Sequence, residues 1–566
     1  MTPNPLAKYL RRASVCALAA CPSASAQFPT SVLAKELDGT NGFIVRGVEY
    51  NQFAGTLAAL GDVNADGVPD LASGNIGQWA YEGCYCYETP GLVHAILGRP
   101  DIARDGLWSV DDLDPTSGIH IPEIGFRTCH GNVSGAGDFN NDGVEDFLVS
   151  ANCSSPGGLW WAGECYVLYG AAAVGGIGTL DVGALSGTNG FVVYGATPDM
   201  GIGARMAAAG DFNGDGVDDI MFGNVSATVD GMVHAGQVYV IWGGRGLGDS
   251  GAFYMKDWTP RTGLIINGRA PLGYAGQRVA PLGDFNGDGY DDIIIAASLD
   301  DPPGESYVVY GGPGLPAHGI LDLADLDGTN GFALRLAEQQ EGGSRVAGPG
   351  DVNGDGYADA ATNAEVGVPF IFGGPDVAPG GLFDLGTLDG TNGFVILTEG
   401  GYGGAGEPAY AGDLNADGYA EIAVRVLPTY IVMGGPDVGS SGKVVVNQPD
   451  GRNVFRFDTW LSREHTGVGD VNADGIDDFA ATITWEQHAK TGADYGTLYV
   501  LFGRRMGDAD LDADLDLADT ARMQTCFQRL IEGDVPDECH PFDFDRDNDV
   551  DQADHAAFAA ALTGPQ

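Results

Sequence analysis

The sequence predicts an all-β fold, a seven-bladed β-propeller, with a small α-helical domain of paired calcium loops behind it. Three repeated features carry that reading. An acidic loop, D-x-N-x-D-G-x-x-D/E, begins at Asp62, Asp138, Asp211, Asp284, Asp351, Asp413 and Asp470. Ahead of each stands a glycine-rich motif. "LDGTNGFIVRG" (37), "LSGTNGFVVYG" (185), "LDGTNGFALRL" (326) and "LDGTNGFVILT" (388) are near-copies, and "TSGIHI" (116), "RTGLII" (261) and "GRNVFRF" (451) fill the other places. Behind each loop comes a short apolar run closed by glycine, among them "GLVHAILG", "QVYVIWG", "SYVVYG" and "TLYVLFG". The order recurs seven times at spacings of 57 to 76 residues, and a repeat of that size decides the architecture before any local element does.

Each repeat reads as β. Runs such as "DIIIAA" (292–297) and "YVVYG" (307–311) are short, apolar and bounded by glycine or proline. No segment in the first 500 residues sustains a helical apolar period. Units of this length hold roughly four strands, and in a propeller such sheets cover one another's faces. Closing the ring protects the sheet edges. The formal net charge of −51 would suit a disordered acidic chain, but a hydrophobic fraction of 44% supplies a core. With only 27 Lys and Arg, the chain lacks the basic footprint that nucleic acid requires.

The loop collects hard oxygen ligands around a bend. Positions 1, 3, 5 and 9 are Asp62, Asn64, Asp66 and Asp70 in the first copy, then Asp138, Asn140, Asp142 and Asp146. They continue as Asp211, Asn213, Asp215 and Asp219, as Asp284, Asn286, Asp288 and Asp292, and as Asp351, Asn353, Asp355 and Asp359. The last two copies hold Asp413, Asn415, Asp417 and Glu421, and Asp470, Asn472, Asp474 and Asp478. Position 6 is glycine throughout, where a calcium loop turns sharply. A plain Asp-Gly hairpin needs no metal, yet seven copies of one oxygen pattern favour Ca²⁺, and a cation would relieve the repulsion among the carboxylates. The glutamate that closes an EF-hand at position 12 is absent. The extra methylene of Glu421 marks the sixth loop as the weakest expected site.

These motifs resemble the FG-GAP repeats of integrin α-subunit propellers and their bacterial relatives, over roughly residues 31–506. The resemblance rests on "NGF-x-V-x-G", on "GD-F/V-N-x-DG-x-x-D" and on the closing "YVVYG". It implies seven blades, calcium in hairpin loops on one face, and a ligand surface on the opposite face. The Gly-Ala-Pro of the family name is eroded here to "ASG", "VSA", "FGN", "AAS", "ATN", "VRV" and "ATI".

Beyond "YVLFGRRM" the composition changes. Asp508, Asp510, Asp512, Asp514, Asp516 and Asp519 fall at positions 1, 3, 5, 7, 9 and 12 of one loop, and Asp543, Asp545, Asp547, Asp549, Asp551 and Asp554 repeat the spacing. Met523, Phe527, Leu530 and Ile531 form a helical stripe after the first copy. Residues 507–566 thus resemble a dockerin type I domain, which implies two further calcium sites and a cohesin partner. Position 6 is Ala513 and Asn548 rather than glycine, and Leu517-Ala518 and Gln552-Ala553 replace the hydroxyl residues of cohesin recognition. Those departures weaken the cohesin expectation more than the fold. In all, up to seven propeller sites and two C-terminal sites are expected to hold Ca²⁺.

At the other end, residues 1–26 read as a signal peptide: Lys8, Arg11 and Arg12, a short apolar stretch, and "ASA" before Gln27. "LAAC" offers a second parse, a lipoprotein anchored at Cys21. No run is long enough to span a membrane as a helix. Export favours disulfides, and proximity in sequence suggests Cys153–Cys165 and Cys526–Cys539, with Cys129 joined to Cys84 or Cys86. A Cys-x-Cys metal site at 84/86 has no flanking histidine.

No H-E-x-x-H, G-x-S-x-G or phosphate-binding loop occurs, and His94 and His234, both in "VHA", read as packed or surface histidines. Long loops in repeats 1, 2 and 7 carry Trp79, Tyr81, Tyr85, Tyr87, Trp160, Trp161 and Trp485. Aromatic side chains on a rigid scaffold suit binding of a glycan or protein, unless they bury themselves within their own loops. The expected function is therefore extracellular protein or glycan binding or attachment without catalysis. A calcium-dependent polysaccharide lyase and a structural spacer are the alternatives.

Overall fold

The protein is described by a computed structural model over residues 28–505, apart from segments at 48–52, 75–90, 103–105, 125–130, 245, 298–303, 337–341, 366, 399–405, 451–452, 460–461 and 488–493. Beyond residue 505 it describes Phe542 and Phe558. The described strands form seven sheets, six of five strands and one of four.

Blade 4 shows why these residues make these strands. Its innermost strand is Arg278–Gly283, followed outward by Asp292–Ala297, Glu305–Val309 and Gly331–Arg335, all antiparallel. "DIIIAA" is apolar at nearly every position because both faces of the strand are buried. Ile293 and Ile295 pack against blade 3, and Ile294 packs against blade 5. The fourth strand carries the NGF motif, whose Phe332 is fully buried, as are Phe43, Phe191, Phe394 and Phe455 in the equivalent places. Seven apolar clusters, one between each pair of neighbouring blades, hold the ring together.

The structure adds a fifth strand that the repeat pattern does not announce. Leu382–Asp384, from the following repeat, pairs in parallel with Gly331–Arg335 and covers the edge of blade 4. Ala252–Tyr254, Ile320–Asp322, Lys443–Val445 and Leu107–Ser109 do the same for blades 2, 3, 5 and 7. Only three residues long, these strands were hidden between longer signals. Blade 1 has four strands, with an isolated parallel bridge between His120 and Thr179 at its rim.

The ring closes through the N-terminal segment. Gly42–Arg46 pairs antiparallel with Asp494–Leu501 as the fourth strand of blade 7, and Ser31–Val32 runs parallel to Val454–Phe457 as the outer strand of blade 6. The NGF motif that precedes each loop in sequence therefore belongs to the blade before that loop. This offset by one strand makes every blade depend on its neighbour's chain.

One disulfide expectation fails. Cys165 is a free, fully buried thiol in the strand Glu164–Leu168, and Cys153 is disulfide-bonded, though not to Cys165. Strand alternation is the reason. Cys165 points into the cluster between blades 2 and 3, 3.7 Å from the Met206 sulfur, while Cys153 sits in the turn after Asp146–Ala151. Cys526 and Cys539, and the Asp508–Asp554 loops, lie outside the described residues. There, Phe542 and Phe558 are buried with rings edge to face at 5.8 Å, but the α-helical dockerin-like half of the expected fold has no support among the described residues. No described helix is long and apolar enough to cross a membrane.

Candidate functional site

All seven acidic loops are hairpins between the first and second strands, so they emerge on one face of the ring. In the first, Asp62 accepts hydrogen bonds from the Asp66 N–H (3.1 Å) and the Gly67 N–H (2.7 Å), and Asp66 accepts from the Val68 N–H (3.0 Å). The aspartates at position 1 of the other six loops accept the same pair of N–H groups. Glycine at position 6 is required by backbone angle rather than space. Its φ is +91° at Gly67 and +90° at Gly289, with nothing within 4 Å of an added Cβ. Position 4 is a second left-handed residue that sequence reasoning missed: Ala65, Asn141, Gly214, Gly287, Gly354, Ala416 and Ala473 all have positive φ. Its signal was the restriction to Gly, Ala and Asn.

Position 9 has a structural duty besides any metal. Asp70, Asp146, Asp219, Asp292, Asp359, Glu421 and Asp478 are completely buried. Asp292 accepts from the Phe285 N–H (3.0 Å) in its own loop and from the Gly311 N–H (2.9 Å) at the end of the third strand. The same bracing recurs at Gly98, Gly170, Gly243, Gly373 and Gly503. Burial pushes Asp70, Asp146, Asp219 and Asp292 up to about 8 and raises Asp359, Glu421 and Asp478 as well. A carboxylate in that position gains from a neighbouring cation.

The loops are also chained to one another through position 8, which the repeat pattern left unassigned. The Asp138 N–H donates to Asp218 of the next blade (2.7 Å), Asp211 to Asp291 (2.8 Å) and Asp413 to Asp477 (3.0 Å). Where position 8 is alanine, the link reverses, and the N–H groups of Ala358 and Ala420 donate to the Asp284 and Asp351 carbonyls (both 3.1 Å).

The sixth loop differs from the others in geometry. Asp413, Asp417 and Glu421 bring carboxylate oxygens within 4.8 Å of one another, a triad found in no other loop among the described residues. The longer Glu421 side chain reaches back into the loop, where its carboxylate accepts from the Leu414 N–H. Three carboxylates beside the Asn415 amide fit the oxygen-rich donor set of Ca²⁺.

On the opposite face the axis ends in an arginine-rich mouth. Where the innermost strands begin, a cavity of about 440 Å³ opens on the axis, lined in part by Arg205, Arg278, Arg345, Arg463 and Glu464. Glu407 at its side is held by Arg345 (2.6 Å), Arg278 (3.2 Å) and Arg425. Burial raises the Glu407 carboxyl, but the three guanidiniums outweigh it and hold the group below its usual range. Around this mouth, Trp160 is 54% exposed and stacks on Trp161 at 5.8 Å. Val233, Leu272 and Leu427 are exposed in other loops of the same face. Trp485 lies in the strand Asp478–Gln487, which ends on this face, and Trp79, Tyr81, Tyr85 and Tyr87 fall outside the described residues. His94 is buried in Gly91–Ile96, whereas His234 occupies a turn on the mouth face, stacked on Tyr274, not a strand.

Comparison with known proteins fits this geometry. Residues 275–310, the first three strands of blade 4, match the FG-GAP repeat. Part of the chain is similar to integrin α subunits, at 31% identity over 172 residues with Integrin alpha-PS2 of Drosophila melanogaster, covering 28% of this chain and 11% of that protein. It is 27% identical over 249 residues to Integrin alpha-5 of Xenopus laevis, covering 40% and 19%, and 32% identical over 109 residues to Integrin alpha-IIb of Homo sapiens, covering 19% and 10%. The chain therefore spans no more than about a fifth of these relatives' length. Among solved structures, the V. cholerae biofilm matrix protein Bap1 aligns over 85% of this chain and 71% of its own at 12% identity, with a TM-score of 0.18, a value too low to carry any argument.

Proposed function

We propose that this protein is an exported, calcium-stabilised FG-GAP propeller that binds an extracellular protein or glycan through the face opposite its acidic loops, without catalysing a reaction on it. The observation that carries this reading is the division of labour between the faces. One repeats the same braced acidic hairpin seven times, while the other gathers exposed Trp160, a basic mouth and irregular loops. Arginine and tryptophan are the residues that dominate binding interfaces. Similarity to integrin α subunits supports an adhesive role outside the cell. Calcium holds the loop face rigid, and the C-terminal module serves as a dockerin-like attachment whose altered recognition positions argue against an ordinary cohesin.

The test has two parts. Calcium bound only to the folded state contributes about 2.7 kcal/mol per site at a hundredfold excess over Kd, so EDTA should lower the melting temperature markedly. A chelator-insensitive melt refutes the metal assignment. Calcium-loaded residues 27–566 presented to an array of polysaccharides and secreted proteins should retain a partner without releasing products. Release of unsaturated sugars would favour the lyase reading instead, which gains one observation from the fold: arginines far apart in the sequence converge at the mouth, beside His465 and Glu464.

A further inference from the structure

The basic mouth is out of character for this chain. Five arginines, Arg205, Arg278, Arg345, Arg425 and Arg463, face only two glutamates, Glu407 and Glu464, in a protein with a formal charge of −51. Their pairing is uneven. Arg278, Arg345 and Arg425 converge on the single carboxylate of Glu407. Arg205 is exposed, and its guanidinium donates to the Ala204 carbonyl at 2.8 Å, while neither it nor Arg463 forms an ion pair among the described residues. Both line the cavity. Although the side chain reaches solvent, the protein atoms packed around its base in the mouth desolvate the Arg205 guanidinium and, with Arg278 and Arg345 adding repulsion, lower it to about 10; Arg345 is lowered as well. Glu464 moves in the other direction, raised by burial although arginines surround it.

Like charges brought together without partners weaken a fold, so stability alone does not account for Arg205 and Arg463 beside the paired Arg278 and Arg345. Guanidinium groups are strong carboxylate partners, and Arg278, Arg345 and Arg425, each donating one N–H to Glu407, show that this mouth holds a carboxylate by several arginines at once. We infer that the channel mouth is a carboxylate-binding site, in which Arg205 and Arg463 take an acidic side chain from a protruding peptide segment of the partner. This deepens the reading of that face as the ligand face and rests on it. An acidic peptide fits better than a sugar chain. The cavity is a single axial mouth rather than a groove, its lining is predominantly polar, and among the described residues no aromatic ring lines it for a sugar to stack on.

The experiment titrates the calcium-loaded full chain with fluorescein-labelled hexaglutamate by anisotropy, at low and at threefold higher salt, with hexaglutamine and tetragalacturonate as parallel probes. Hexaglutamate should bind in a salt-sensitive manner and hexaglutamine should not. The Arg205→Gln/Arg463→Gln double variant should weaken binding at least tenfold with an unchanged or higher melting temperature, because two like charges are removed. Arg205→Lys, which keeps the charge but loses the fork, should weaken it less. Equal affinity in the double variant overturns the site, and tetragalacturonate binding without hexaglutamate overturns the partner class. Array retention that survives the double variant would overturn this inference alone and leave the binding function standing.

Discussion

The two faces of the ring are built from the same strands and follow opposite rules. On the loop face, the hairpin between first and second strands is copied seven times, down to the left-handed residues and the buried carboxylate at position 9. On the mouth face, the corresponding connections differ in length and chemistry from blade to blade, and the charged residues that line the axial cavity are Arg205, Arg278, Arg345, Arg463 and Glu464. The difference teaches where each constraint originates. Position 9 satisfies backbone N–H groups inside every blade, so each blade demands it separately. Nothing in a blade demands Arg205 or Trp160.

The largest expected effect breaks the loop face. Asp292→Ala strips the acceptor from the Phe285 and Gly311 N–H groups inside a buried site. At about 1–3 kcal/mol for each orphaned group, the loss should be roughly 3 kcal/mol or more in urea unfolding. The part of it that persists in EDTA measures the bracing role apart from the metal. If the whole loss vanishes once calcium is removed, position 9 is a ligand and little else.

A smaller effect isolates loop geometry. Gly289→Ala places a Cβ at φ +90° with nothing within 4 Å to strike, so backbone strain alone should cost about 1–2 kcal/mol. Calcium affinity measured calorimetrically should fall with it. No change in either would mean that the loop relaxes freely and that the repeated glycine has another cause.

The smallest stability effect belongs to the mouth face. Trp160→Ala should move the melting point by no more than surface substitutions do, about 0.5 kcal/mol, since 54% of the residue is already in solvent. Partner retention on the array should nevertheless fall. Unchanged retention in a Trp160→Ala/Trp161→Ala variant would take the aromatic pair out of the binding surface.

Much of the loop face was legible in the chain because its constraints are local. A glycine at positive φ and carboxylates two residues apart act within nine positions, and seven repetitions make the pattern visible. Position 8 escaped notice because its side chain works across a blade boundary: Asp218 matters to Asp138, eighty residues earlier. The short outer strands escaped for a similar reason, since Leu382–Asp384 has no meaning until Gly331–Arg335 lies beside it. Cys153 and Cys165 looked like partners because sequence proximity was taken for spatial proximity, while strand alternation sends Cys165 to the opposite side of its sheet from Tyr166. In the sixth loop, side-chain length alone did not say where the Glu421 carboxylate points.

By itself the sequence determined the number of blades, the strands and the acidic hairpins, because periodic apolar runs and turn residues act over a few neighbours. Only the tertiary structure decided the offset between repeat and blade, the clasp of residues 31–46 across blades 6 and 7, and the basic mouth. Arg205, Arg278, Arg345 and Arg463 are spread over more than 250 positions of an acidic chain. They become one site because a ring brings equivalent strand ends to a common axis, and no local pattern along the chain carries that information.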